Sequence, residues 1–237
     1  MKPLLKPEDK LILALDLPDP QEAKKMVKIL DGLVNFFKIG LVLYTIGGPE
    51  LVQWLLSKNK KVFLDLKFFD IPETVEKAVE QAAKMGVSFL TIHGNAQIIK
   101  NAVKGRGNST LKLLAVTVLT SLDAADLNDL GFPCSVQELV LFRAKKAIEY
   151  GCDGVVASGQ EAGVLRSKLG ARLLIVTPGI RPAERTNKNE PDLQKRTVTP
   201  KEAIAAGADY LVVGRPIIKA PDPRRAAAEI IREISQR

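Results

Sequence analysis

Ala83-Lys84-Met85-Gly86-Val87-Ser88-Phe89-Leu90, Ile148-Glu149-Tyr150-Gly151-Cys152-Asp153-Gly154-Val155 and Ala205-Ala206-Gly207-Ala208-Asp209-Tyr210-Leu211-Val212 are three versions of one passage. In each, a helical stretch meets a glycine and an apolar run follows almost at once. Glycine tolerates the left-handed conformation that ends helices, and short apolar runs suit buried strands. Working outward, eight such runs recur: Leu11–Asp16, Phe36–Gly40, Lys61–Asp65, Ser88–His93, Leu113–Leu119, Gly154–Ala157, Leu173–Thr177 and Tyr210–Gly214. Most of the segments between them carry helical periodicity. Glu22 to Leu30 places Ala23, Met26, Val27 and Leu30 on one face. Pro72 to Met85 has proline in its first turn and stops at Gly86, while Ser135 opens the next long helix with Glu138 completing a capping box. At about 30 residues per βα unit, the chain has room for eight units. The pattern predicts an α/β fold of the closed (β/α)8 type, a TIM barrel, as one domain over residues 1–237. An open doubly wound sheet is the second choice, weakened because no GxGxxG follows the first strand.

Composition narrows the function. Hydrophobic residues make up 46% of the 237, ordinary for a globular chain with a full core. No apolar run approaches a membrane span, and Met1 to Lys10 lacks the apolar stretch of a signal peptide. Cys134 and Cys152 form no CxxC and read as reduced thiols, so a cytoplasmic setting is expected. The net charge of +8 comes from lysines and arginines scattered among acids, so most of it reads as solvated surface. What remains suits an anionic substrate such as a phosphate ester. With 5% aromatic residues and no basic run, nucleic acid is a weak reading.

Chemistry concentrates in Phe63-Leu64-Asp65-Leu66-Lys67-Phe68-Phe69-Asp70-Ile71-Pro72-Glu73-Thr74. Residues at i and i+2 of a strand share a face, which aims Asp65 and Lys67 the same way at the end of a buried run. A carboxylate and an ammonium there are costly unless they pair or work. In a barrel, active residues stand at the carboxyl ends of strands. Asp16 ends the first, Lys38 lies on the second, Asp65 and Lys67 on the third, and Thr120 and Ser121 follow the fifth. Thr177-Pro178-Gly179-Ile180-Arg181-Pro182 follows the seventh strand and Val213-Gly214-Arg215-Pro216 the eighth, where barrels commonly bind phosphate. The polar stretch at about 181–199 reads as a loop closing over that phosphate, with Gln194 as an amide donor. Its Lys195 and Arg196 could add charge there, and solvated surface is the preferred reading for both.

Together these residues are similar to the orotidine 5′-monophosphate decarboxylase family, in its bacterial form. The similarity spans nearly the whole chain, from Leu13-Ala14-Leu15-Asp16 through Phe37-Lys38-Ile39-Gly40 and Asp65–Thr74 to Thr177–Pro182 and Val213–Pro216. It implies decarboxylation of orotidine 5′-monophosphate to UMP on a barrel without metal or cofactor. By matching motif, Lys38, Asp65, Lys67 and Asp70 resemble the family's alternating charged network, with Lys67 protonating C6. The resemblance also implies a homodimer in which Asp70, Ile71 and Thr74 enter the partner's site. Asp16 and Lys38 would hold the ribose, and Thr120 the pyrimidine, although Ser121 fits that place as well. Pro178, Arg181, Gln194, Gly214 and Arg215 resemble the phosphate grip. His93 has no assigned role. No nucleic-acid or membrane partner is implied. Metal-dependent sugar-phosphate enzymes on the same barrel are the nearest alternative, but they carry an acid where Lys38 stands. A non-catalytic nucleotide-binding barrel, or a purely structural ion-pair network, leaves more of the charged residues unexplained.

Overall fold

Eight parallel strands close on themselves in sequence order: β1 (Leu11–Ala14), β2 (Phe36–Gly40), β3 (Lys61–Phe68), β4 (Phe89–Ile92), β5 (Lys112–Val116), β6 (Gly154–Val156), β7 (Leu174–Thr177) and β8 (Tyr210–Val213), with β8 pairing back onto β1. The computed structural model describes residues 5–182 and 196–236. Helices α1 (Pro20–Ile29), α2 (Leu41–Ser57), α3 (Pro72–Met85), α4 (Ala96–Arg106), α5 (Ala124–Asp129), α6 (Val136–Glu149), α7 (Gly159–Leu169), α8 (Pro200–Ala205), α9 (Arg215–Ile218) and α10 (Pro223–Ser235) connect the strands and follow the last. Among the described residues no helix is long and apolar enough to cross a membrane.

Local chemistry sets many of the boundaries. Ser135 and Glu138 form the expected capping box of α6, and Asp123/Asp126 and Thr199/Glu202 build two more. α3 ends at Gly86, whose φ of 81° is the left-handed conformation expected of a terminating glycine. The Gly-x-Asp shared by two of the three opening passages also has a job. Asp153 accepts from the Leu113 amide at 3.0 Å and pairs with Arg106 of α4. Asp209 accepts from the Ile175 amide at 2.8 Å and pairs with Arg166 of α7. Each aspartate thus ties the start of its strand to an earlier strand and to a helix outside the barrel.

Two apolar layers result. Outward-facing strand residues pack against the helices, while Ile12, Ala14, Phe36, Phe63, Phe89, Leu114, Val176 and Val212 fill the barrel interior. Phe36, Phe63, Phe89 and Tyr210 pack edge to face there, with centroids 4.9 Å apart for Phe36–Phe89 and 5.1 Å for Phe89–Tyr210. Lys38, Asp65 and Thr91 lie two residues beyond Phe36, Phe63 and Phe89 on their strands. The aromatic layer is therefore the floor on which the charged layer stands.

The expected barrel and its strand order are present, and the boundaries differ most at β5 and β3. β5 is shorter than the run Leu113–Leu119, because the chain turns where Leu122 donates to the Leu119 carbonyl. β3 continues past Asp65 to Phe68, through an irregularity. Leu64 pairs with Leu90 and Phe68 with Ile92, so three residues of β3 face Thr91 alone. Phe89→Ala should lower unfolding stability by about 3–5 kcal/mol, the usual range for a buried phenylalanine. Urea titration reads this directly, and a loss within error would mean that the aromatic floor is not supporting the barrel.

Candidate active site

The bulge in β3 builds the site. Lys67 has φ of 49°, unusual for a residue with a side chain, and such backbone strain costs roughly 1–3 kcal/mol. Two contacts offset it: the Lys67 amide donates to Thr91 Oγ1 at 2.9 Å, and Lys67 Nζ lies 2.8 Å from Asp65 Oδ1. Simple strand alternation predicted that Asp65 and Lys67 share a side. They meet, but through the bulge rather than through a regular pleat. Thr91 also donates to Asp65 Oδ1 at 3.0 Å, bracing both residues from the neighbouring strand.

The charges continue across β2 to β1. Lys38 Nζ lies 3.4 Å from Asp65 Oδ2 and 3.1 Å from Asp16 Oδ1. The order is Asp16, Lys38, Asp65, Lys67, with alternating sign. Asp16 is 60% exposed at its side chain and Lys38 only 9%, so the relay runs from solvent into the barrel mouth. Burial works against the ionised forms of both central groups. For Asp65 it is overcome by Lys38 and Lys67, together with the hydrogen bonds from Lys67 and Thr91, which hold the carboxyl below its ordinary range. For Lys38 it is overcome by Asp65 and Asp16, which raise the ammonium above its ordinary range. His93 is pushed down by burial, with Arg143 and Lys67 adding repulsion, so the imidazole is neutral near pH 7.

The remaining predicted residues fall into three groups. Thr120 is buried just beyond β5, and Ser121 is half-exposed beside it. Pro178 and Arg181 follow β7, and Gly214 and Arg215 follow β8, at the same end of the barrel as Asp65. Gly214 closes against β1: a Cβ there would lie 3.4 Å from Asp16 Oδ2. Asp70, Ile71 and Thr74 are exposed on the rim, and the Asp70 carboxylate accepts from the Ile71 amide at 2.6 Å instead of joining Lys67 of its own chain. Gln194 lies outside the described residues, as does most of the stretch between 181 and 199. The ends of that stretch are joined, because Ile180 bridges Val198 and the Arg181 amide donates to the Val198 carbonyl at 2.9 Å.

Two features escaped the sequence reading. Thr91 was legible in principle, since it stands two residues after an inward phenylalanine. Arg196 was read as solvated surface, and this is corrected by the structure. Its side chain is 10% exposed and its guanidinium bonds Glu161 of α7 at 2.6 Å. A charged residue in a polar stretch carries no local sign of burial; its partner is 35 positions away. The cysteines are free, as expected, and burial pushes the Cys152 thiol up to about 12, leaving it protonated at neutral pH. Among the described residues no three His, Cys, Asp or Glu side chains gather as a metal ion would require.

A closed barrel with an alternating charge relay at the carboxyl ends of its strands is a (β/α)8 enzyme, with glycine- and arginine-bearing turns after β7 and β8. Residues 9–230 match the family described as orotidine 5′-phosphate decarboxylase / HUMPS, and the chain belongs to that family. It is 56% identical over 220 residues to an orotidine 5′-phosphate decarboxylase of Methylococcus capsulatus, covering 92% of this chain and 89% of that one. The corresponding protein of Nitrobacter winogradskyi is 52% identical over 227 residues, covering 96% and 93%. A crystal structure of orotidine 5′-phosphate decarboxylase from Lactobacillus acidophilus superposes with a TM-score of 0.82 at 38% identity, covering 94% of this chain and 98% of that one.

The relay makes stability depend on pH in a defined direction. Asp65 is depressed below its ordinary value of 3.8, so its contribution is full above that value and is lost as pH falls through the folded value. Lys38 is raised above 10.5, so its contribution is full below that value and is lost as pH climbs through the raised one. Thermal midpoints of Asp65→Asn should therefore fall less steeply below about pH 4 than those of the parent. Parallel acid limbs would show that Asp65 is not held ionised by the lysines.

Proposed function

We propose that Lys67 is the group that protonates C6 of the pyrimidine in the reaction of this chain, which is an orotidine 5′-phosphate decarboxylase and produces UMP. The contact that supports this reading is Lys67 Nζ to Asp65 Oδ1 at 2.8 Å, with Lys38 on the opposite oxygen. Loss of CO2 leaves an electron pair in the ring plane at C6, where the π system does not delocalise it. A fixed ammonium aimed at that carbon stabilises the pair as it develops and then delivers the proton. Asp65 would stand against the departing carboxylate, and Lys38 would keep the aspartate in register. Lys38 occupies the space between Asp16 and Asp65 where a divalent ion would otherwise find two carboxylates, which argues against the metal-dependent sugar-phosphate chemistry found on similar barrels.

Rate enhancements by enzymes reach ~10^17, or roughly 23 kcal/mol, and no single ammonium supplies that. The remote parts of the substrate have to contribute through binding. In this reading Asp16 and Lys38 hold the ribose, Thr120 the pyrimidine, and Pro178, Arg181, Gln194, Gly214 and Arg215 the phosphate. The stretch at about 181–199 closes over the phosphate. The chain works in the cytoplasm as a homodimer, with Asp70, Ile71 and Thr74 entering the partner's site. Exposed Leu41, Val42 and Ile46 after β2, and Phe69 and Ile71 after β3, support this, because they offer an apolar surface along the rim of adjacent strands.

Lys67→Ala should abolish measurable turnover of orotidine 5′-monophosphate while UMP still binds a folded protein. Near-parental activity would remove Lys67 from the proton transfer. Mixing Lys67→Ala with Asp70→Ala protomers should restore activity that neither variant has alone, because one site of each mixed dimer then holds both residues. Failure to recover activity in a demonstrated heterodimer would place Asp70 outside the partner's site.

A further inference from the structure

The buried Arg196–Glu161 pair lies beyond every residue assigned above. The Arg196 guanidinium reaches three acceptors on two elements: Glu161 Oε1 at 2.6 Å through Nη1, and the carbonyls of Leu119 at 3.0 Å and Val118 at 3.3 Å through Nη2. Its own carbonyl accepts from Ser158 Oγ at 3.3 Å, and Ser158 caps α7, the helix that carries Glu161. Just downstream, Val198 lies against the first turn of α7 so closely that a Cβ on Gly159 would come within 2.3 Å of it. The segment after residue 195 is thus seated on α7, while its arginine reaches over to the end of β5.

The carbonyl it grips is a particular one. Leu119 O also accepts from the Leu122 amide at 2.9 Å, closing a turn whose two central residues are Thr120 and Ser121. Both acceptor positions of that oxygen are therefore in use, one by the turn and one by Arg196. Thr120 is buried directly beside this anchored carbonyl.

Stability alone is a poor account of the pair. Arg196 Nε and Glu161 Oε2 are buried with no hydrogen-bond partner among the described residues. Burial also pushes the Glu161 carboxyl up, although Arg196 opposes it. A buried ion pair left partly unsatisfied gives less stability than apolar side chains of the same size. What it provides is direction, because a planar fork held at one end by a carboxylate fixes acceptors at its other end, and an ammonium lacks that geometry.

We infer that Arg196 is a positioning residue for the pyrimidine: clamped by Glu161, it fixes the Leu119 carbonyl and so sets the turn that presents Thr120 to the base. This rests on the reading of Thr120 as the pyrimidine contact. Arg196→Lys separates direction from charge, since lysine keeps the ion pair with Glu161 but does not span both elements. The probes are UMP and ribose 5-phosphate, which share the sugar and phosphate and differ in the base. Arg196→Lys should bind UMP about tenfold more weakly, the order expected for losing one placed hydrogen bond, and bind ribose 5-phosphate as the parent does. Its kcat should fall while its thermal midpoint stays near the parental one. Thr120→Val should weaken UMP in the same selective way, and the two substitutions combined should lose less than the sum of their separate effects.

An equal loss for both probes, or unchanged UMP binding, would overturn the inference. If Thr120→Val is silent towards UMP, the pyrimidine reading of Thr120 falls and the inference falls with it. If Thr120→Val is selective and Arg196→Lys is not, the inference alone falls. Should Arg196→Lys fail to fold, Glu161→Gln carries the same test, because it keeps the shape of the clamp and weakens its hold on the guanidinium. The same base-selective loss then supports the assignment, and its absence overturns it.

Discussion

Asp65 is the group on which the rest of the site depends. Its carboxylate is nearly enclosed, and burial opposes its charge more strongly than any single neighbour favours it. Lys38 on one oxygen, Lys67 on the other and the Thr91 hydroxyl together reverse that balance. Removing Lys38 would leave a buried charge short of its partner, a change that typically costs about 3–5 kcal/mol. The same arrangement holds the Lys67 ammonium at the barrel mouth, 2.8 Å from Asp65 Oδ1. A polar environment already organised before reaction is what electrostatic catalysis requires.

That arrangement has structural supports at two depths. Beneath it, Phe36, Phe63 and Phe89 fix β2, β3 and β4 at the positions two residues before Lys38, Asp65 and Thr91. Beside it, the bulge places Lys67 in a left-handed conformation that a β-strand would not otherwise adopt. The strain is modest beside the electrostatic contacts it permits, and within β3 it falls on the residue proposed to do the chemistry. Strain of this kind persists only where its surroundings over-determine it, and here the Thr91 hydroxyl receives the strained amide.

The proposed site is spread around the barrel mouth rather than held in one motif. The ends of β1 to β3 carry the charges, the turn after β5 the buried threonine, and the turns after β7 and β8 are read as holding phosphate. Arg196 crosses this division. It starts from the stretch that follows β7, pairs with α7 and ends on the carbonyls after β5. The two sides of the mouth, read as holding the base and the phosphate, are thereby joined through one guanidinium.

The barrel and the charged cluster of its candidate site were legible in the sequence because their signals are local. Glycines after helices, apolar runs and capping boxes each act within a few residues, and repetition of the unit leaves few closed arrangements. Asp16, Lys38, Asp65 and Lys67 could be placed because each ends or nearly ends an apolar run, and the resemblance to a known family extended the reading to residues such as Gly214 and Arg215. Tertiary structure decided what local signals do not encode. The bulge in β3 exists only because Thr91 of β4 faces three residues, a fact about strand pairing. Arg196 is buried only because α7 brings Glu161 to it across 35 positions of chain. Sequence specifies which groups are available and which face they prefer; only the packed barrel determines which of them are dry, and dryness is what turns a surface charge into a positioned one.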